Sequence, residues 1–407
     1  MSRRRKIVPL QAFFNTFTNI MNPATSSPRI IVVDSLRGFA VIGIILIHFL
    51  EHLNFYVFPE PTAFEQSLWD TVFYLGASKM YAIFSLLFGL SCYIQHHNQE
   101  KKGYDFRPRF AWRMLLLFLW GMLDLVFYNG DILCIYAVLG LFLIPLVNAS
   151  DKVLFWTAFI LFCQPVELVY IVLGLIDPTQ MPMNIGIGKY WGECFEACAN
   201  GGFLDVALVN LKDGLQISFG WSIEHGRLTQ TLFFFILGMI LGRKRLFIDE
   251  GNNVAIWRKI GVASVFFFVF MQLLMSLPES IECPAIAQSL DILITAWRNF
   301  AMTMFYVSGI TVLYYRTKVR KAIIHKLSYI GKMSLTDYLL QSVVGSFLFY
   351  NWGLALYHTC SHGYSVLLGI VFCIALYFFC RWWTNHHRRG PLEELWARAT
   401  WINHNNK

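Results

Sequence analysis

The sequence predicts an all-α polytopic membrane protein of about ten transmembrane helices, with both termini in the cytoplasm. Three observations predict it. The 407 residues are 56% hydrophobic and only 14% charged, a balance that a soluble domain does not tolerate. Several runs approach the ~20 apolar residues that a helix needs to cross a bilayer. Basic residues gather in short clusters between those runs. The net charge of +8 is explained by these clusters as cytoplasmic loops, so no nucleic-acid partner is expected. The 37 Phe, 13 Trp and 18 Tyr suit lipid-facing surfaces and interfacial belts, and membrane lipids are the expected surroundings.

Three regions follow: a basic arm over 1–30, a membrane domain over 31–384 and an interfacial tail over 385–407. The arm holds Arg3, Arg4, Arg5 and Lys6, but lacks a clean apolar core followed by a small-residue cleavage site, so it is not read as a signal peptide. Spans are expected near 36–55, 73–94, 111–128, 131–148, 153–176, 228–243, 259–277, 293–315, 329–350 and 364–383. Asn129-Gly130-Asp131 joins the third and fourth as a hairpin, with Asp131 a natural helix cap. Pro165 loosens the fifth. With ten spans, the arm, Lys101/Lys102/Arg107/Arg109, Arg243/Lys244/Arg245/Arg258/Lys259, Arg316/Lys318/Arg320/Lys321/Lys326 and the tail arginines fall on one side. The loop after span one carries Glu51, Glu60, Glu65 and Asp70 without a Lys or Arg. The positive-inside rule therefore puts the basic side in the cytoplasm. The longest outer loop, about 177–226, contains prolines and glycines and is expected to be a partly helical lid. The tail, from Arg388-Arg389-Gly390-Pro391, reads as an amphipathic helix along the cytoplasmic interface.

The nine cysteines are scattered. Five sit in spans and read as small apolar residues; Cys194, Cys198, Cys283 and Cys360 sit in loops. No metal-ligand spacing is present, and no metal site is expected.

The first span carries the strongest functional signal. In RIIVVDSLRGFAVIGIILIHFLEH, an apolar run is bracketed by Asp34 and Arg37 on one side and by His48, Glu51 and His52 on the other. Arg37 and His48 are eleven residues apart, about 20° from three whole turns and about 16 Å along the axis. The five polar groups therefore share roughly one face. A cap, a snorkelling arginine and a packed histidine would each explain one residue. Five on one stripe favour a functional site, because ionisable groups in hydrocarbon face a protein interior or a water-filled cavity. Further candidates for a cavity lining are Lys79 in span two, Arg298 in span eight, and His225 and Arg227 at the mouth of span six. In span nine, Ser334, Tyr338, Gln341, Ser342 and Gly345 follow i, i+4, i+7, i+8, i+11 spacing, one polar stripe on an apolar helix. Helix–helix hydrogen bonding is the plain alternative for such a stripe.

With these stretches in view, the chain resembles the YeiB-like membrane proteins, of the DUF418 type. The resemblance rests on DSLRGFAVIGIILIH, KMYAIFSLLFG, RMLLLFLWGMLD, NGDILCIYAVLG, FFILGMILGR, GKMSLTDYLLQS and RGPLEELW, in order and nearly end to end. That family is similar in turn to membrane acyltransferases: the acyltransferase-three O-acetylases of surface sugars and the lysosomal heparan glucosaminide N-acetyltransferases. In the O-acetylases an arginine precedes a catalytic histidine by eleven positions, the spacing of Arg37 and His48 here. Many YeiB-like proteins carry asparagine where this chain has His48.

The resemblance implies acyl-CoA, usually acetyl-CoA, as a cytosolic co-substrate with no permanently bound cofactor. It implies an acceptor on the outer side: a surface glycan, lipid or small molecule. Asp34, Arg37 and His48 are the catalytic candidates it carries over. An imidazole suits a general base or an acyl carrier. The implied location is the bacterial cytoplasmic membrane, and a homo-oligomer is left open. The alternative is a multi-pass transporter using buried Lys79, Asp124, Glu167, Arg298 and Asp337.

Overall fold

The computed structural model describes residues 29–54 and 61–401. Arg3, Arg4, Arg5, Lys6 and Glu60, on which the orientation argument partly rests, lie outside the described residues. Among the described residues the chain forms sixteen α-helices and no strand. The first five are α1 (Ile31–Asn54), α2 (Ala63–Gly76), α3 (Lys79–Glu100), α4 (Arg107–Leu125) and α5 (Leu133–Leu141). Next come α6 (Asp151–Phe162), α7 (Pro165–Ile176), α8 (Gly188–Asn200), α9 (Phe203–Glu224) and α10 (Arg227–Arg243). The last six are α11 (Asn253–Leu273), α12 (Pro284–Arg316), α13 (Lys318–Gly331), α14 (Ser334–Phe349), α15 (His362–His386) and α16 (Pro391–Thr400).

α1 is the helix around which the others gather. Val32, Leu36, Ala40, Ile45, Phe49 and Leu53 are buried along it, and α3, α13, α14 and α15 pack on it. Glycines set its closest contact. A Cβ on Gly331 of α13 would lie 1.8 Å from the Asp34 carbonyl oxygen, and one on Gly38 would lie 2.0 Å from that of Leu327. The same reciprocal arrangement joins α3 to α10. A Cβ on Gly89 would lie 1.8 Å from the Phe235 carbonyl, and one on Gly238 would lie 1.9 Å from that of Leu86. Small residues let backbones touch where lipid supplies no hydrophobic drive to associate. Gly238, in LGMILG of α10, is one of these small residues.

Each of the ten expected spans contains a helix. Among the described residues four stretches are long and apolar enough to cross a membrane: Ile31–Leu53, Ala63–Glu100, Asn253–Ser280 and His362–His386. A fifth arises if α6 and α7, bent by 46°, form one broken span. The break falls at Gln164, which takes a left-handed conformation (φ 52°) just before Pro165. The other expected spans are shorter or more polar. α5 has 9 residues, α10 has 17 and α14 has 16, while α4 carries Arg107, Arg109, Arg113 and Asp124. The outward faces are apolar, including Phe155, Trp156 and Ile160 on α6, Phe266 and Phe270 on α11, and Ile374 and Phe378 on α15. An all-helical chain that exposes such faces is a membrane protein.

Two boundaries differ from expectation. The ninth span, expected over 329–350, is interrupted. α13 ends at Gly331, which presses against α1, and α14 starts at Ser334. The loop expected over 177–226 is mostly helix. α8 and α9 pack on each other, and α9 also packs on α4 and α10. The Ser218 hydroxyl of α9 donates to the Asn129 carbonyl at 3.0 Å, which seats α9 on the hairpin turn. Among the described residues, which include all nine cysteines, no disulfide is formed.

The tail helix α16 docks rather than trailing away. Glu393 accepts from the amides of Leu335 (2.8 Å) and Thr336 (3.1 Å) and from the Thr336 hydroxyl (2.6 Å). It thereby supplies the N-terminal cap that α14 lacks within its own sequence. Arg113 stacks on Trp396 at 4.4 Å, and the Trp112 indole donates to the Ala399 carbonyl at 2.9 Å.

Candidate functional site

A cavity of about 410 Å³ opens beside the second half of α1. His48 and Glu51 lie on its wall, with Nε2 and Oε2 4.0 Å apart. The i, i+3 spacing on a helix puts both on one face. The Tyr128 hydroxyl donates to Glu51 Oε2 at 2.6 Å, and its ring centroid lies 4.8 Å from that of His48. Tyr338 of α14 completes this side. Its ring is 6.1 Å from His48, and its hydroxyl accepts from the Ile132 amide at 3.3 Å. His48 Nδ1 is buried without a hydrogen-bond partner. A buried polar atom left unpaired costs about 1–3 kcal/mol, so it needs a reason such as a substrate or a chemical role.

The hairpin turn shapes the floor. Asp131 accepts from the amides of Leu133 (2.9 Å) and Cys134 (2.8 Å), which is the capping its sequence position suggests. Gly130 is required there, since a Cβ would lie 2.5 Å from the Tyr128 ring. Trp191 and Phe195 of α8, and Ser218 and Trp221 of α9, form a third wall. Arg227 lies at the start of α10, its guanidinium stacked between Tyr81 (4.7 Å) and Trp221 (4.5 Å).

The other candidates take different places. Arg37 sits eleven residues back, outside the cavity wall. It pairs with Asp34 at 3.0 Å, and reaches the Gly331 carbonyl (3.4 Å) and the Ser91 hydroxyl (3.3 Å). Asp34 lies inside the first turn of α1, which begins at Ile31, and not at its cap. His52 turns away into the core, with Nδ1 3.2 Å from the Tyr350 hydroxyl and its ring stacked on Phe349. Gln341 and Ser342 are buried behind Tyr338, and the Gln341 amide has no hydrogen-bond partner. Asp124 is buried against the Ser342 hydroxyl. Lys79 is buried beside the cavity and donates to the Tyr74 carbonyl at 2.6 Å. Arg298 reaches Gln272 Oε1 at 3.4 Å. His225 is exposed, with its ring on Trp221. No group of His, Cys, Asp and Glu among the described residues could hold a metal ion.

Sequence reasoning missed Tyr81, Tyr128, Trp191 and Trp221 as wall residues. Tyr128 directly precedes the Asn129-Gly130-Asp131 turn, so that signal was available. The tryptophans lie in α8 and α9, within the stretch expected as a partly helical lid.

The chain matches known proteins in two blocks. Residues 29–182 match the family described as "Heparan-alpha-glucosaminide N-acetyltransferase, catalytic". Residues 241–403 match the family described as "Protein of unknown function (DUF418)". Over 412 residues the chain is 26% identical to the uncharacterized protein YxaH of Bacillus subtilis, covering 94% of this chain and 96% of that one. It is also 26% identical over 406 residues to the uncharacterized protein YeiB of Escherichia coli, covering 91% and 96%. The chain is thus similar, nearly end to end, to the YeiB-like proteins, and its C-terminal part matches the DUF418 type. A 39.9 kDa protein of Bacillus acidopullulyticus is 31% identical over 141 residues, 35% of this chain and 40% of that one. The acetyltransferase-like block carries Arg37, His48, Glu51, Tyr128 and Asp131; the DUF418 block carries Tyr338. The cavity is built where the two blocks meet, and residues 183–240, with Trp191, Trp221 and Arg227, lie between them.

Proposed function

We propose that this membrane protein is an acyltransferase that moves an acyl group, acetyl in the first instance, from cytosolic acyl-CoA to an acceptor on the outer side. His48 on the wall of the cavity, beside Glu51 and the Tyr128 hydroxyl, carries the reading. The match of residues 29–182 to an acetyltransferase catalytic region supports it independently. The basic clusters on one side, with an acidic loop after the first span, support ten crossings, cytoplasmic termini and a place in the bacterial cytoplasmic membrane. In that orientation Arg37 lies toward the cytoplasm, about 16 Å along α1 from His48. Its guanidinium receives the CoA end of the donor, with Asp34 and the Gly331 carbonyl as positioning groups.

The chemistry is general-base acyl transfer. His48 removes the proton from the acceptor hydroxyl or amine as that atom bonds to the thioester carbonyl carbon. The carbon–sulfur bond then breaks, and the CoA thiolate recovers a proton from the imidazolium. Glu51, 4.0 Å from Nε2, stabilises the imidazolium, and the Tyr128 hydroxyl fixes Glu51 in place. Tyr338, beside His48, and the aromatic third wall hold the acceptor. The test is transfer from radiolabelled acetyl-CoA by purified protein. Loss of transfer in a folded His48→Ala variant supports the reading, and full retention overturns it.

A further inference from the structure

Three cations stand near one another where α3 and α10 begin: Arg227 on the cavity wall, with Lys79 and Arg298 outside the lining. Arg227 lines the cavity itself. Lys79 follows Ser78, another lining residue, and is 4% exposed. Arg227 and Arg298 are both close enough to act on Lys79 electrostatically. Lys79 and Arg298 share one aromatic ring, each 5.5 Å from the centroid of Tyr74. Among the described residues none of the three makes an ion pair. Their neighbours are aromatic rings, the Tyr74 carbonyl and Gln272.

The backbone adds to the positive field. Lys79 and Arg227 each occupy the first position of a helix, where the macrodipole disfavours a cation. Neither helix has a side-chain cap, so its first amides are left for another acceptor. The residues just before them are both left-handed, Ser78 at φ 69° and Gly226 at φ 63°. For Ser78, a residue with a Cβ, that conformation is costly and is a mark of functional sites. Two carboxylates also line the cavity, and each has its own donors. Tyr128 holds Glu51, which also feels Arg227, and backbone amides hold Asp131. Like charges gathered at helix N-termini without counter-ions form a site for an anion.

We propose that the acceptor is anionic: a hydroxyl compound whose phosphate group docks between Lys79, Arg227 and Arg298 while its hydroxyl reaches His48. This rests on the acyltransferase reading for its role, but anion binding is measurable without it. The full chain in phosphatidylcholine nanodiscs, without acyl-CoA, is titrated with glycerol 1-phosphate and with glycerol, reading bound ligand by calorimetry. A parallel arm uses nanodiscs containing phosphatidylglycerol. Saturable binding of glycerol 1-phosphate at least about tenfold tighter than glycerol is expected, weakening with salt. Arg227→Gln should weaken it by about tenfold or more, and Arg227→Lys, which keeps the charge but loses the stacked guanidinium, should fall between wild type and Gln. Loss of glycerol 1-phosphate binding in the phosphatidylglycerol arm would identify a lipid headgroup as the source. Unchanged binding would identify a soluble phosphate ester. Equal affinity for glycerol and glycerol 1-phosphate in folded protein would overturn the proposal, whatever the transfer assay gives.

Discussion

Glu393→Ala removes the cap that the tail lends to α14. Glu393 Oε1 accepts from two backbone amides, and Oε2 from the Thr336 hydroxyl, which in turn accepts from the Leu392 amide at 3.2 Å. A lost N-cap costs about 1 kcal/mol. A carboxylate at a partly buried helix N-terminus contributes up to about 2 kcal/mol more. The sum, about 2–3 kcal/mol, predicts that the Leu335 and Thr336 amides exchange with solvent about 30- to 150-fold faster, since about 1.4 kcal/mol is tenfold. Hydrogen exchange read by mass spectrometry on peptides spanning 330–340 measures this directly. α16 should lose protection together with α14, because the same carboxylate holds both. Glu393→Gln keeps an acceptor oxygen and loses the charge, so it should fall between wild type and Ala. Unchanged exchange at Leu335 and Thr336 in Glu393→Ala would refute the reasoning.

Three further outcomes are expected. Gly331→Val, with a Cβ 1.8 Å from the Asp34 carbonyl, forces α1 and α13 apart at a cost of about 3 kcal/mol or more. It should yield little monodisperse protein on size exclusion, and a wild-type profile would contradict the close crossing. Asp131→Ala removes two amide acceptors and should cost about 1–2 kcal/mol, read as a lower melting temperature, with Asp131→Asn milder. Tyr128→Phe deletes the 2.6 Å bond to Glu51; a hydrogen bond to a charged group is worth about 1.5–3 kcal/mol, so transfer should fall about 10- to 150-fold without loss of folding.

The sequence reveals most of what one helix can show. Helical spacing alone brings His48 and Glu51 to one face, and the structure has both on the cavity wall. The same spacing does not separate Glu51 from His52. One residue is 100° of turn, enough to send His52 to Tyr350 and the core. Tyr338 reaches the wall while Gln341 and Ser342 stay behind it, because a polar stripe is wider than the part that meets a cavity. Lys79, Arg227 and Arg298 are 148 and 71 residues apart in sequence (227 − 79 and 298 − 227), so no local pattern shows that they meet. The bounds of α8 and α9 are hidden by the prolines and glycines around them, so the sequence shows only a partly helical lid. Their buried residues, such as Cys194, Cys198, Val206 and Ile217, find partners only in the folded bundle.

The most direct test of the central claim is the fate of radiolabelled acetyl-CoA given to purified wild-type and His48→Ala protein in nanodiscs. The account predicts His48-dependent release of CoA, with label appearing on an acceptor in wild type alone and both proteins equally folded. Equal release and equal labelling by the two folded proteins would contradict it.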